Sequence, residues 1–546
     1  MIARFPKDVI RRCFLASCFI VAGALCLNLV SAHAADGSGR PDSLYRYTPY
    51  TPIVRPLTME KVVFSNDEGE EVVGEQGTLE VPEVRGVEGT RTISIAFVRI
   101  RARTDNPAPP IVLLHGGPSQ DGIIQSRSKR LNILTEMQDV GDLILVDGRG
   151  LGLSTPTLKC PIDVPRFTVD FQQMKQLYTD EGRQCWEKFQ SEGVALDGYN
   201  PIALADDVAD LMVSLGYETF SVTGNSYGAY WSMALAKRHP ALIHRMAISG
   251  IFGIDGSTKL PTDAQQAFDN LIGHLEGTPA ARSLFGRKGL RRAYERVMER
   301  LEAHPVEVTI KVDGQPQPFI FDSHTVSRIF YFAEATHHRE GAKILPLLIY
   351  ALDKKAYAGV ATLLANRFEA AMEEAPLYFG LSSVSIICNQ VTSAGFDARF
   401  AEERERPASE FWVGQLIKFR NAAYACEEVG FPRISTQWAD PFQSDVPVFA
   451  MIGSFDGNTP PAGARRSLSN FKTVKTVVVE GGGHRHREIE QEWPALGDFR
   501  KRFLAGDPLD DLPETVELQP IDAAVIPWYA RLLFNLGLGD VILKRM

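Results

Sequence analysis

The five residues Gly224-Asn225-Ser226-Tyr227-Gly228 dictate a sharp turn with a serine at its apex. Glycines two places before and after a serine are what a strand needs to close directly onto a helix, because a Cβ at either place would meet the other element. The chain holds 45 glycines in 546 residues, so chance can produce the pattern and its flanks must decide. Upstream, Thr219 to Thr223 is a short β-prone run. Downstream, Ala229 to Arg238 is made of good helix formers with basic residues in the last turn, and His239-Pro240 stops it. Before the strand, Leu204, Val208, Leu211, Met212 and Leu215 fall at helical spacing, and Gly216 ends that run. The order is helix, strand, turn, helix.

The rest of the chain repeats this rhythm. Residues 35 to about 58 read as an extended arm. Between Glu60 and Arg103, the runs Val62–Phe64, Gly77–Pro82 and Thr92–Ile100 alternate like antiparallel strands at a sheet edge. Ile111–Leu114 and Leu143–Asp147 are continuous and apolar, as strands buried on both faces are. Arg245–Gly250 follows the serine turn. From Phe252 to about Asp440 the pattern becomes mainly helical and amphipathic, and the strands resume at Val446–Ile452 and Val474–Val479. Strands alternating with helices imply a mostly parallel sheet flanked by helices. The excursion reads as a cap over the strand C-terminal ends, where ligands bind in open α/β sheets. The expected division is a leader over 1–34, a core over 35–251 and 441–505 with a helical cap over 252–440 inserted in it, and a tail over 506–546 that the pattern does not place. Pro494 is expected to start or interrupt a helix within Glu488–Leu504.

Residues 1–34 have the form of an export signal. Arg4, Lys7, Arg11 and Arg12 precede an apolar stretch from Cys13 to Val30, and Ala32-His33-Ala34 matches a cleavage site. Arg11 to Leu15 also fits a twin-arginine motif, so the route, general secretory or twin-arginine, stays open. Periplasmic or secreted protein is the expectation. Seven cysteines then become four, Cys160, Cys185, Cys388 and Cys426. An even number in an exported chain suggests two disulfides rather than buried thiols. Of three possible pairings, nearness in sequence favours Cys160–Cys185 and Cys388–Cys426. Their spacing is too wide for a CxxC zinc or redox motif.

The formal net charge is −9, and losing the leader's four basic residues and Asp8 takes it to about −12. With nothing basic clustered, neither nucleic acid nor an anionic membrane is an expected partner. No later run is long and apolar enough to span a bilayer, so no stable membrane association is expected after cleavage. No cofactor or metal is expected, and oligomeric state is not legible.

A serine hydroxyl becomes a good nucleophile when a neutral imidazole takes its proton and a carboxylate orients that imidazole. The serine turn resembles the nucleophile elbow of α/β hydrolases, whose acid and histidine follow in that order after late strands. Asp456 in Gly453-Ser454-Phe455-Asp456-Gly457-Asn458-Thr459-Pro460 and His484 after Glu480-Gly481-Gly482-Gly483 sit in those positions. A plain Asp-Gly turn is the competing account of Asp456, and His486 competes with His484. The oxyanion would be met by the backbone N–H of Tyr227 and by that of Gly117 in His115-Gly116-Gly117-Pro118.

Together these pieces resemble the proline iminopeptidase and tripeptidyl aminopeptidase family of α/β-hydrolase serine peptidases, over roughly residues 75 to 505. The family's HGGPG appears as His115-Gly116-Gly117-Pro118-Ser119, its D-x-R-G-x-G-x-S as Asp147 to Ser154, and its G-x-S-[YW]-G as Gly224 to Gly228. The resemblance implies the α/β-hydrolase fold and an exopeptidase acting on free peptide N-termini, with cap carboxylates binding the substrate ammonium. Here the chain departs from the family. Ser119 replaces a glycine, and Asn389-Gln390 stand near Cys388 where relatives carry acids. Glu334 is the candidate substitute. The alternatives are a carboxylesterase or other small-molecule hydrolase on the same triad, and a silent binding protein on the same scaffold.

Overall fold

A computed structural model of the chain describes residues 48–65, 69, 71–117, 122–128, 136–161, 171–256, 260–286, 289–312, 314–332, 339–373, 378–389, 394–406 and 426–543. The leader, Pro118, Ser119, Glu334 and Gln390 lie outside these described residues.

Three long strands open the chain, β1 (Leu57–Ser65), β2 (Glu71–Pro82) and β3 (Thr92–Ile100). Short buried strands follow as β4 (Ile111–Leu114) and β5 (Leu143–Val146), then β6 (Lys159–Pro161), β7 (Phe220–Asn225) and β8 (Ile243–Ser249). The later strands are β9 (Val306–Val312), β10 (Gln315–Phe321), β11 (Tyr378–Gly380), β12 (Val448–Gly453), β13 (Val474–Glu480) and β14 (Thr515–Glu517). Ten of them form one sheet in the order β1-β2-β3-β5-β4-β7-β8-β12-β13-β14. β1, β2, β3 and β5 pair antiparallel in turn, and every pair from β5–β4 onward is parallel.

Both faces of the parallel part are covered. Val112, Ile144, Met246, Ile248, Val448 and Ala450 pack into one apolar core with the helices Pro201–Ser214 and Tyr227–Arg238. Their neighbours Ile111, Leu143, Leu145, Ala247, Phe449 and Met451 pack into a second core with the helix Ala495–Ala505. The two-residue period of a strand divides each continuous apolar run between these cores. Pro494 stands just before that helix as its N-cap, after the shorter helix His486–Glu492.

Between β8 and β12 the described residues form helices with their own core, together with the antiparallel hairpin β9–β10. The hairpin departs from the mainly helical expectation. Its signal was present: Val306, Val308, Ile310 and Val312 alternate with polar residues, and Asp313-Gly314 follows. The inserted segment also returns to the first half of the chain, where β11 pairs antiparallel with β6. Nearby, Cys160 is bonded to Cys185 and Cys388 to Cys426, with Cα separations of 5.9 and 5.5 Å. These are the pairings favoured by sequence nearness.

The residues beyond 506 find two places. β14 adds a parallel edge to β13, and Ile521, Ile526, Phe534 and Leu543 enter the core of the inserted segment. The Asp540 carboxylate accepts from Gly359 N at 2.6 Å. Among the described residues, no helix is long and apolar enough to cross a membrane.

Candidate active site

β7 runs into Ser226, whose φ of 58° and ψ of −118° are unusual for a residue with a side chain. Such a conformation costs about 1–3 kcal/mol and persists where its surroundings enforce it. Ser226 N donates to Ser249 O at 3.1 Å, and Ala229 N and Tyr230 N donate to Ser226 O at 3.0 and 3.2 Å. The glycines show their purpose in what a Cβ would meet. At Gly224 it would lie 2.4 Å from Gly228 C, and at Gly228 2.1 Å from Leu114 O. The loop after β4 also approaches closely, since a Cβ on Gly116 would lie 2.9 Å from Asn225 O and 3.4 Å from the Ser226 Cβ. Gly117 has a positive φ of 63°, and Tyr227 begins the helix after the turn, so its N–H is among the unpaired donors of a helix N-terminus.

Asp456 follows β12 and His484 follows β13, and the structure brings the two together. His484 Nδ1 lies 2.8 Å from Asp456 Oδ2, with both side chains buried. Thr459 Oγ1 donates to the same oxygen at 2.5 Å and lies 3.2 Å from His484 Nδ1. The other oxygen, Oδ1, accepts from Asn458 N at 2.9 Å and Thr459 N at 2.8 Å. Asp456 is thus also the turn former that the Asp-Gly pair suggests. Burial pushes its carboxyl pKa up, but the charge and hydrogen bond of His484 and the two bonds from Thr459 outweigh burial and hold it below the usual value. The acid and histidine loops meet closely at Gly453, where a Cβ would lie 2.6 Å from both Gly482 O and Gly483 O. His486 instead begins the helix His486–Glu492.

Gly250, just past β8, joins the nucleophile to this pair. A Cβ there would lie 2.6 Å from Asn225 Nδ2, 3.0 Å from His484 Cε1 and 3.2 Å from Ser226 N. Asn225 Nδ2 spans the same junction, donating to Ser249 Oγ at 3.1 Å and His484 O at 3.4 Å. Among the described residues, Ser226 Oγ makes no hydrogen bond to His484, whose Nε2 lies 3.1 Å from Asn458 Nδ2.

The Asp147–Ser154 motif does structural work beneath the site. Asp147 accepts from Ile123 N at 3.1 Å and Leu153 N at 2.9 Å. Arg149, fully buried, grips both oxygens of Asp207 at 2.8 and 2.7 Å and donates to Glu83 O and Gly198 O. That fork fixes the helix that precedes β7. Asn389 is equally structural: its side chain accepts from Ile434 N at 2.8 Å and donates to Ser385 O at 2.9 Å.

Sequence reasoning missed Asn225, Gly250, Thr459 and Arg339. Arg339, in the inserted segment, donates to Gly481 O in the histidine loop, to Gln519 O and to Glu492. Only Thr459 carried a local signal, lying three residues after an aspartate in a turn. A cavity of about 610 Å³ borders these loops, with Asp269, Asn270, His274, Phe455, Glu480 and Glu517 in its lining.

Comparison with known proteins agrees with this architecture. The family model for the alpha/beta hydrolase fold matches residues 109–287. A protein of Escherichia coli (strain K12) named "Putative hydrolase YuaR" is 23% identical over 166 residues, which are 30% of this chain and 32% of that protein. The match therefore spans about a third of that relative's length. Similar solved structures include a thermophilic esterase from Thermogutta terrifontis (15% identity, 79% of this chain and 98% of that one, TM-score 0.33). Epoxide hydrolase A from Mycobacterium thermoresistibile has 15% identity, 82% and 99% coverage and a TM-score of 0.33. A haloalkane dehalogenase loop variant from Bradyrhizobium elkanii has 16%, 83% and 97%, and 0.32. At those scores the structural likenesses carry no argument, about fold or chemistry. The sheet order, the strained serine turn between β7 and its helix, and the matched family model give the conclusion: the chain has the α/β-hydrolase fold.

Proposed function

We propose that the chain is an exported serine hydrolase, an aminopeptidase acting on free peptide N-termini through Ser226, Asp456 and His484. The observation that carries the hydrolase reading is the buried His484–Asp456 pair, at 2.8 Å, meeting the strained Ser226 turn across Gly250. In this reading the His484 Nε2 takes the Ser226 hydroxyl proton as Oγ attacks the substrate carbonyl carbon. The backbone N–H groups of Tyr227 and Gly117 receive the oxyanion. The same proton then passes to the leaving amine as the C–N bond breaks, and water repeats the sequence on the acyl-enzyme.

The peptidase reading rests on the motifs shared with proline iminopeptidases and tripeptidyl aminopeptidases. The carboxylates of Glu480 and Glu517, beside Phe455 of the acid loop, offer negative charge for a substrate ammonium, while Asp269 in the same lining is already paired with Arg291 at 2.7 Å. The structural role of Asn389 favours the second reading, a carboxylesterase, because no acid stands at that position. Export is supported by the two disulfides, which suit an oxidising compartment.

One assay separates the readings. Aminoacyl- and tripeptidyl-coumarins with free and with acetylated N-termini are compared with short acyl esters, beside Ser226→Ala. An aminopeptidase cleaves the free peptides, loses them on acetylation and is inactive as Ser226→Ala. Turnover of esters alone, or indifference to acetylation, rejects the peptidase reading. Export predicts that protein recovered from cell fractions begins at Ala35; a cytoplasmic chain that retains residues 1–34 rejects it.

A further inference from the structure

We infer that Asn458 latches the proton-accepting nitrogen of His484 in the resting site, so that Ser226 is activated only when the amide lets go. The inference rests on the triad reading above. His484 Nδ1 faces the Asp456 carboxylate at 2.8 Å, which fixes the ring proton on Nδ1 and leaves Nε2 with one lone pair. The buried Asn458 side chain sits 3.1 Å from that nitrogen with its amide nitrogen, a donor. The lone pair needed to accept the Ser226 proton is therefore already engaged, and Ser226 Oγ has no hydrogen bond to the ring among the described residues.

Asn458 is placed by the backbone. Its own N–H donates to Asp456 Oδ1 at 2.9 Å, so the turn that orients the catalytic acid also delivers the amide to the far side of the imidazole. Thr459, next in the chain, binds the near side. The single turn Asp456-Gly457-Asn458-Thr459 thereby controls both ring nitrogens. Releasing the amide makes or breaks no covalent bond; it returns the lone pair to Ser226 Oγ–H, whose proton then moves to Nε2 as Oγ attacks. Asn458 is a positioning residue acting through His484.

The test measures the second-order rate at which diisopropyl fluorophosphate phosphorylates Ser226, with loss of fluoride, in the full protein and in Asn458→Ala. A latch predicts faster labelling in Asn458→Ala, by about threefold to tenfold if one neutral hydrogen bond is removed. A merely structural Asn458 gives an unchanged or slower rate, and either result overturns the inference. Asn458→Ser, whose side chain is too short to reach Nε2, gives the same reading if the alanine variant folds poorly. Ser226→Ala and His484→Ala separate the two levels of failure. If His484→Ala labels as fast as wild type, the triad reading fails and the latch with it. If His484→Ala is inert while Asn458→Ala is no faster than wild type, only the latch fails.

Discussion

His484 leaves no room for a side chain on Gly250: a Cβ there would lie 3.0 Å from His484 Cε1 and 2.6 Å from Asn225 Nδ2. Gly250 also has a φ of 53°, which side chains adopt at a cost of roughly 1–2 kcal/mol. Gly250→Ala should therefore displace the imidazole from the serine. A shift on the scale of 1 Å costs about 10²-fold in rate. The expected outcome is that loss in kcat/KM, with a folded protein by circular dichroism. Activity within threefold of wild type would show that the contact relaxes freely.

Asp456→Asn keeps the size of the side chain and removes the acceptor that fixes the imidazole proton. By analogy with the trypsin-type triad, kcat should fall about 10⁴-fold. Steady-state kinetics on whichever substrate the wild type turns over reads this directly, and a loss below tenfold contradicts the role.

Arg149 holds Asp207 with a planar fork and two backbone carbonyls besides. Lysine is a single point charge and cannot reproduce the fork. The charge is kept and Arg85 still pairs with Asp207, so what is lost is the fork's hydrogen bonding, worth about 1.5–3 kcal/mol. Arg149→Lys should lower the urea midpoint accordingly, while a shift worth less than 1 kcal/mol would mean that the site reorganises around the lysine.

Asp206 gives a stability effect with a defined sign. Burial raises its carboxyl pKa, but the bonds from His239 and Arg238 outweigh burial and hold it below the usual value. A depressed carboxylate binds fewer protons folded than unfolded, so its contribution is complete above the unfolded value near about 4 and fades as pH falls through the folded one. Wild type should lose stability steeply on acidification below that point. Asp206→Asn should be less stable at pH 7 and flatter over the acid range, as read by denaturant unfolding at several pH values. Equal slopes in the two proteins would remove Asp206 from the account.

The Cys388–Cys426 bond closes a sequence separation of 38 residues. Chain-entropy reasoning assigns such a crosslink about 4 kcal/mol. Replacing both cysteines by serine should lower Tm by several degrees, and added reductant should then change the variant less than it changes wild type. An equal response to reductant would mean that Cys160–Cys185 carries the effect.

The serine turn was legible because its requirements are local: two glycines, a strand before and a helix after. Asp456 and His484 were legible for a related reason, since each lies within a few residues of a strand end. What sequence hid is what depends on distant partners. Nothing near Gly250 announces that Asn225 and His484 will crowd it, and nothing near Arg339 points to the Gly481 carbonyl. β14 is only three residues long and gains its identity from pairing with β13. Helix Trp528–Asn535 shows Trp528 and Tyr529 to solvent, while Phe534 goes inward to a core supplied by residues two hundred positions earlier. The hairpin β9–β10 was legible and lost only to the helical pattern around it.

β8 and β12 are hydrogen-bonded neighbours, paired from Met246 and Val448 onward, although residues 250 to 447 lie between them. Because the two strands are parallel, the excursion leaves the sheet at the C-terminal end of β8 and re-enters it at the N-terminal end of β12, crossing from one end of the strands to the other. Lengthening, shortening or exchanging it shifts no register in the sheet, and a longer closed loop costs little extra entropy. The proposed bond-breaking machinery hangs on the sheet ends, and much of what surrounds it hangs on the excursion. Under the proposed function, recognition is then the more exchangeable part, within a limit the structure sets: a new stretch must keep the pairing of β11 with β6 and the Arg339 bond to the Gly481 carbonyl beside His484.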